Sequence, residues 1–186
     1  MKVFREKGYA GTSLSDLEQA TGLSRTSLYN AWGNKEALFR ASLVLHQELL
    51  GTPLLAELEH PSVRTGLANM FKAQLRGLAK QSKPVGCLLT NSCAAAGEFD
   101  VDVEALLREH VVESERLVRA RLVRAVRDGE LVEGTDVNSL ARYFTSLSRT
   151  VPLMYRTTGS LAYVRQIVAV GLEVLSTTVL EREGSG

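Results

Sequence analysis

Apolar positions along the chain recur every three or four residues, the spacing that gathers them on one face of an α-helix. Leu67, Phe71, Leu75 and Leu78 form one such stripe. Val103, Leu107, Val111, Leu117 or Val118, Leu122 and Val126 form a longer one. No Asn-Gly or Asp-Gly turn lies between alternating apolar runs, and no β-branched stretch is bounded by turn residues. The pattern predicts an all-α protein. The four prolines, at 53, 61, 84 and 152, each fall at or near a predicted helix boundary or kink.

The first fifty residues predict short helices. Met1 to Lys7 ends at Gly8, a C-terminal stop. Ser13, with Asp16 three residues on, reads as a capping box opening a helix whose inner face is Leu14, Leu17 and Ala20. Thr21-Gly22 breaks it, and Ser24 caps the next, with Leu28 and Trp32 facing inward. Gly33 stops that helix, and Asn34 caps a longer one from about Lys35 to Leu50. Two helices of about seven residues joined by a tight glycine-containing turn make a helix-turn-helix. Helices this short are unstable alone. They require a shared core, expected from Phe4, Leu17, Leu23, Leu28, Trp32, Leu38 and Phe39.

Longer helices follow. One lies between Pro61 and Pro84, and a short apolar one runs from Gly86 to about Ala96. Asp100 or Asp102 caps a helix reaching Asp128, Asp136 caps one that meets Pro152 and ends at Gly159, and Ser160 caps a last one ending near Leu180. The tail after it is polar and expected to fray. The chain therefore divides into a small head, residues 1–46, and a larger helical body, residues 47–186.

Composition narrows the class. The 186 residues are 45% apolar and 23% charged, ordinary for a globular chain and too apolar for a disordered one. No run of 18 apolar residues occurs, so no membrane-spanning helix is expected. Cys87 and Cys93 are too few for a disulfide scaffold, and no basic-then-apolar leader opens the chain, which points to the cytoplasm. His46, His60 and His110 are not paired with spaced carboxylates or cysteines, and there is neither a phosphate loop nor a nucleophile elbow. No enzyme, metal site or cofactor is therefore expected.

Residues 4–39 contain Lys-Gly-Tyr, Thr-Ser-Leu, Gly-Leu-Ser, Leu-Tyr and Asn-Lys-Glu-x-Leu-Phe in order. This segment closely resembles the DNA-binding domain of TetR/AcrR-family transcriptional regulators. Gly-Cys-Leu-Leu-Thr-Asn at 86–91 and the stretch from Arg156 to Val164 are similar to one subgroup of that family. The resemblance implies a homodimeric repressor, released from a palindromic double-stranded operator by a small, largely apolar effector. It also implies a first helix reaching some ten residues upstream of Phe4, so a chain starting at Met1 either omits native residues of that helix or lacks its support. Ala31 departs from the pattern, because many members carry a phosphate-reaching His or Tyr there.

Physical chemistry supports the same reading. The major groove admits an α-helix and shows each base pair a distinct donor and acceptor pattern. The helix from Ser24 to Ala31 is suited to enter it, with Arg25, Thr26 and Ser27 at its leading turn. Arg25 can fork onto guanine O6 and N7, and Thr26 and Ser27 can exchange hydrogen bonds or touch a thymine methyl. Thr12, Ser13, Ser24, Tyr29, Asn30 and Lys35 complete the expected DNA contacts, with Lys35 at a helix start that suits phosphate. Thr12, Ser13 and Ser24 also serve as helix caps. Net charge is only +1 for the whole chain, but residues 1–46 hold six Lys and Arg against four Asp and Glu. The remainder holds sixteen against seventeen, so a slightly basic head stands on a slightly acidic body.

For the body, the expected effector contacts are Phe71, Gln74, Cys87, Asn91, His110, Tyr143, Met154 and Tyr155. Phe71, Tyr143 and Met154 also fit plain core, and His110 a satisfied core histidine. Asn91 stands out, because a buried amide must find partners. The last two helices carry Leu140, Tyr143, Phe144, Leu147, Val151, Leu161, Val164, Ile167, Val168, Leu172 and Leu175, an apolar surplus suited to a dimeric four-helix bundle. Two alternatives stay open at this point: a regulator sensing electrophiles through Cys87 or Cys93, and a helical adaptor that does not bind DNA.

Overall fold

The structure, a computed structural model, describes residues 1–95, 97 and 99–176. It contains ten α-helices and no β-strand among those residues: α1 Lys2–Lys7, α2 Leu14–Thr21, α3 Arg25–Trp32, α4 Lys35–His46, α5 Thr52–Ala56, α6 Val63–Ala79, α7 Leu88–Cys93, α8 Val101–Arg127, α9 Val137–Thr158 and α10 Leu161–Glu173. The predicted helix ends near Ala96 and Leu180, and the polar tail, lie outside the described residues.

Most starts are set by a side chain satisfying an otherwise unpaired backbone N–H. Ser13 and Asp16 form a reciprocal capping box, and Ser24, Asn34, Ser62, Asp100, Asp136 and Ser160 each accept from the first turn they precede. Gly22 closes α2 in the left-handed conformation, φ 70°, which makes the sharp turn into α3 accessible.

The helix predicted from Lys35 to Leu50 departs from regular geometry after His46. Residues Gln47–Gly51 form a widened π turn that leads directly into α5, with Pro53 near its start. Pro53 brings no N–H to the ladder, and the extra residue in the preceding turn absorbs that misfit. The boundary after residue 46 thus falls inside a nearly continuous helical path rather than in a linker.

Two apolar cores form. The larger joins α6, α8, α9 and α10 through Leu67, Phe71, Leu122, Phe144, Val151 and Val164. The smaller begins in the head, with Phe4, Leu17, Leu28, Phe39 and Leu43, and continues into the body through Leu88, Leu89, Val103 and Leu107. Trp32 and Leu38 pack against it half-buried. Leu23, expected inside, is 39% exposed, because the residue after Gly22 sits on the outside of the turn with its N–H on Thr21 Oγ1. Most of the apolar stripe of α9 and α10 is used inside the protomer: Leu140, Phe144, Leu147, Val151, Val164, Val168 and Leu175 are buried there. What those helices leave outward is Tyr143, Leu153, Tyr163 and Val170.

One buried ion pair locks the far end of α8. Arg121 is 4% exposed, and its Nη2 donates to Glu130 Oε1 at 2.7 Å and to the carbonyls of His60 and Pro61. The other oxygen of Glu130 accepts from the Val63 N–H at the start of α6. Removing one member of a buried pair strands the other charge, which costs more than the pair contributes. Glu130→Ala is therefore expected to lower unfolding free energy by about 3–5 kcal/mol in urea denaturation. Arg121→Met together with Glu130→Leu should recover most of that loss.

Candidate nucleic-acid interface and effector cavity

The turn between α2 and α3 is tied by Glu18, whose Oε1 accepts from the Arg25 N–H at 2.6 Å. Local sequence reasoning missed this bond, because Glu18 lies seven residues back on the preceding helix. It satisfies one of the free donors of α3 and fixes the angle between the two helices. The Arg25, Thr26, Ser27, Tyr29 and Asn30 side chains stand on the outward face of α3. Ser24 accepts from the Ser27 N–H, and their hydroxyls are 3.0 Å apart. Lys7 Nζ holds Asp16 at 2.6 Å, tying α1 to α2, and with the Ser13 bonds keeps that carboxyl down at about 2.

Thr12 differs from the other expected DNA contacts. It is 1% exposed and its hydroxyl donates to the Gly8 carbonyl at 2.6 Å, so it closes the corner between α1 and α2 from inside. Ser13 is exposed at the start of α2. Lys35 is half-buried, with Nζ 4.4 Å from the Tyr9 ring centroid, which orients its charge at the start of α4.

Behind the head lies a cavity of about 810 Å³, within the range of small-molecule sites. Of the expected effector contacts, Gln74, Cys87 and His110 line it. Phe71, Asn91, Tyr143, Met154 and Tyr155 do not. Phe71 and Tyr155 belong to the larger core, Met154 packs against it, and Tyr143 is 38% exposed on the outer side of α9. The Asn91 amide donates to the Val85 carbonyl at 2.9 Å and to the Arg5 carbonyl at 3.4 Å, so it fastens the loop before α7 to the head. Gly86 permits this packing. Its φ is +74°, and a Cβ there would stand 2.9 Å from the Pro152 carbonyl.

Pro152 also shapes the wall. Lying inside α9, it cannot donate to the Ser148 carbonyl four residues back. The Gln74 Nε2 donates to that carbonyl instead, at 2.7 Å. Gln74 Oε1 is buried without a partner.

The head contributes to the cavity directly. Lys2, Arg5 and Glu6 of α1 and His46 of α4 line it beside body residues such as Met70, Phe144 and Arg149. His46 is 4% exposed, and its Nε2 is 3.2 Å from Cys87 Sγ. Burial, then the Arg5 and His110 charges, push the His46 pKa down to about 4. Burial, then Arg149, push His110 down to about 4 as well. Burial raises the Cys93 thiol, against the opposing pull of Arg149. Arg5, His46 and Arg149 were not foreseen as cavity residues. They converge from α1, α4 and α9, and no local spacing signals that. No group of three or more His, Cys, Asp and Glu side chains is placed to hold a metal ion among the described residues, and no described helix is long and apolar enough to cross a membrane.

A helix-turn-helix with an outward, hydroxyl- and guanidinium-bearing second helix, mounted on a helical body with a cavity, defines a ligand-linked DNA reader. The profile of "Bacterial regulatory proteins, tetR family" matches residues 1–42, and that of "Tetracyclin repressor-like, C-terminal domain" matches residues 64–170. The chain belongs to the TetR family of bacterial transcriptional regulators. It is 31% identical over 176 residues to the HTH-type transcriptional repressor ComR of Escherichia coli (strain K12), covering 94% of this chain and 84% of ComR. It is 29% identical over 177 residues to the regulator YezE of Bacillus subtilis (strain 168), covering 94% and 91%. Among solved structures, a cysteine mutant of the TetR family regulator CifR, complexed with 26-base-pair double-strand operator DNA, shares 29% identity and superposes with a TM-score of 0.81 over 92% of this chain and 90% of that one. A TetR family regulator from Cytophaga hutchinsonii superposes with a TM-score of 0.83 over 97% and 90% at 23% identity, which speaks to the fold.

The two depressed histidines give a stability signature. Unfolding releases both to ordinary values near 6.5, so between about pH 6.5 and 4 the unfolded state binds more protons. Their contribution is complete above pH 6.5 and falls as pH drops through that window. Urea unfolding at successive pH values should show a slope of up to about 1.4 kcal/mol per pH unit for each histidine. His46→Gln with His110→Gln should flatten it.

Proposed function

We propose that the chain is a homodimeric, cytoplasmic repressor that reads a palindromic operator through α3 and is released when a small molecule occupies the cavity. The observation that carries this reading is the leading turn of α3. Arg25 and Thr26 stand free on its outer face, while Glu18 and Ser24 hold the turn from behind. The likeness to CifR, bound to operator DNA in its own structure, supports it.

In this reading Arg25 and Thr26 address base edges, with Ser27 and Asn30 beside them. Tyr29, 42% exposed, and Lys35 at the start of α4 address phosphates, as does Ser13 at the start of α2. Thr12 serves from inside, by fixing the corner. Two such heads must sit about one helical turn of DNA apart, which a two-fold dimer supplies. Tyr143, Leu153, Tyr163 and Val170, the outward apolar residues of α9 and α10, are the surface for that pairing. The effector fills the cavity, touching Gln74, Cys87 and His110.

Covalent sensing at Cys87 is a second reading, favoured by His46 Nε2 at 3.2 Å from its sulfur. The low His46 pKa weighs against it, since a neutral imidazole offers the thiolate no counter-charge.

Base reading and phosphate contact make different demands on DNA. Arg25→Ala should cost about 1–3 kcal/mol on the operator and remove discrimination against random duplex. Lys35→Ala should weaken both duplexes alike and lower the salt slope by about 1. Fluorescence anisotropy on operator and random duplexes across a salt series measures both. Equal losses on the two duplexes for Arg25→Ala would contradict base reading.

A further inference from the structure

The cavity is chemically two-sided. Leu54, Met70, Val118 and Phe144 are apolar lining. The polar lining carries six Lys and Arg side chains against two Glu, Glu6 and Glu57. Two of those cations are inner ones. Arg5 is half-buried, and its Nε is buried with no hydrogen-bond partner. Arg149 is half-buried, and its guanidinium meets a neutral carbonyl, that of Thr145, and the Cys93 side chain, but no carboxylate. Every ion pair among the described residues uses other arginines and lysines, so neither Arg5 nor Arg149 has a carboxylate. His46, which lines the same cavity and is almost wholly buried, has an unpartnered Nδ1.

Neither half-buried guanidinium meets an anion, and the Arg5 Nε and the His46 Nδ1 are buried with no partner, which a protein interior does not normally keep. Charge-assisted bonds from Arg to a carboxylate are the strong way to satisfy them, and they come with planar, two-point geometry. We propose that the effector is an amphipathic organic carboxylate, its head held by Arg5, Arg149 and His46 and its apolar body against Met70, Val118 and Phe144. This rests on the cavity being the effector site. It sharpens the expectation of a largely apolar effector by adding one anionic end.

The placement also supplies a route to the DNA. Arg5 lies on α1 of the head and Arg149 on α9 of the body. One carboxylate bridging them draws the head toward the body by the same bonds that bind it. A ligand changes an equilibrium only through its differential affinity for the two states, and a bridge across the junction is formed in only one of them.

Isothermal titration of the full chain with decanoate, decan-1-ol and decylamine tests the head group at constant tail. A second pair, 2-naphthoate and 2-naphthol, changes the tail. In at least one pair the carboxylate should bind about tenfold or more tighter than its alcohol, and decylamine should not bind measurably. Arg149→Gln and Arg5→Gln should each bring the carboxylate-to-alcohol ratio to within about threefold of one, and Arg149→Lys should retain part of it. Circular dichroism of each variant confirms folding. Should a glutamine variant not fold, the wild-type head-group series and Arg149→Lys carry the test. Carboxylates binding no better than alcohols in both pairs, or a preference that survives both glutamine variants, would overturn the proposal. Operator release is scored separately. A carboxylate preference without release supports the anion site and overturns the effector reading.

Discussion

Everything the head does depends on the packing around Phe39. Its ring meets Phe4 at 5.0 Å, Tyr9 at 5.0 Å and Phe99 at 5.4 Å, and Tyr9 in turn meets Phe99 at 5.7 Å. Phe4, Tyr9 and Phe39 belong to the head, whereas Phe99 precedes α8 of the body. Helices of six to twelve residues cannot hold themselves in water. Their stability must come from burial at about 25 cal/mol per Å², and much of the surface that buries them belongs to Leu88, Leu89, Val103 and Leu107 of the body. The polar link from the Asp100 N–H to Glu36 Oε1 at 3.0 Å closes the same junction. The reading helix is thus positioned by the body as much as by its own motif.

That junction is also where the cavity lies. Its lining includes α1 and the end of α4 as well as α6 to α9, so occupancy and head position share residues. Arg5 illustrates the overlap: its carbonyl accepts from Asn91 while its guanidinium lines the cavity. The widened turn at Gln47–Gly51 brings Leu49, Leu50 and Gly51 to the lining, and the Ser148 carbonyl that Pro152 leaves free accepts from Gln74. A coupling of 1–3 kcal/mol between sites is typical of such systems, and a single charge-assisted bond spanning the junction is of that order.

What the sequence showed and what it hid divide by range. Capping is local, so Ser13, Ser24, Asn34, Asp136 and Ser160 could be read within three residues of the helix they start. The family resemblance likewise rested on a contiguous run, and the matched profiles agree with it. Burial is not local. Leu23 has the right residue type for the core and the wrong side of its turn. The stripe on α9 and α10 was legible as apolar, but a stripe does not say whether α6 and α8 or a second copy covers it, and here the protomer takes most of it. The cationic wall was the least legible feature. Arg5 and Arg149 are 144 residues apart, and whole-segment charge sums average them away. Asn91 was singled out for good reason: its Nδ2 donates to two backbone carbonyls of the chain, while its Oδ1 is buried without a partner.

The central claim is that the head and body share one cooperative core, so that a change in the body is felt at the reading helix. Trp32, the sole tryptophan, lies at the end of α3 and reports the head, while far-UV circular dichroism reports mostly the longer body helices. Leu107→Ala removes a body side chain from the shared core and should cost about 2–5 kcal/mol. In urea titration of that variant, the Trp32 fluorescence transition and the dichroism transition should move down together and remain coincident. A Trp32 transition that stays at its wild-type midpoint while the dichroism transition shifts would contradict the account.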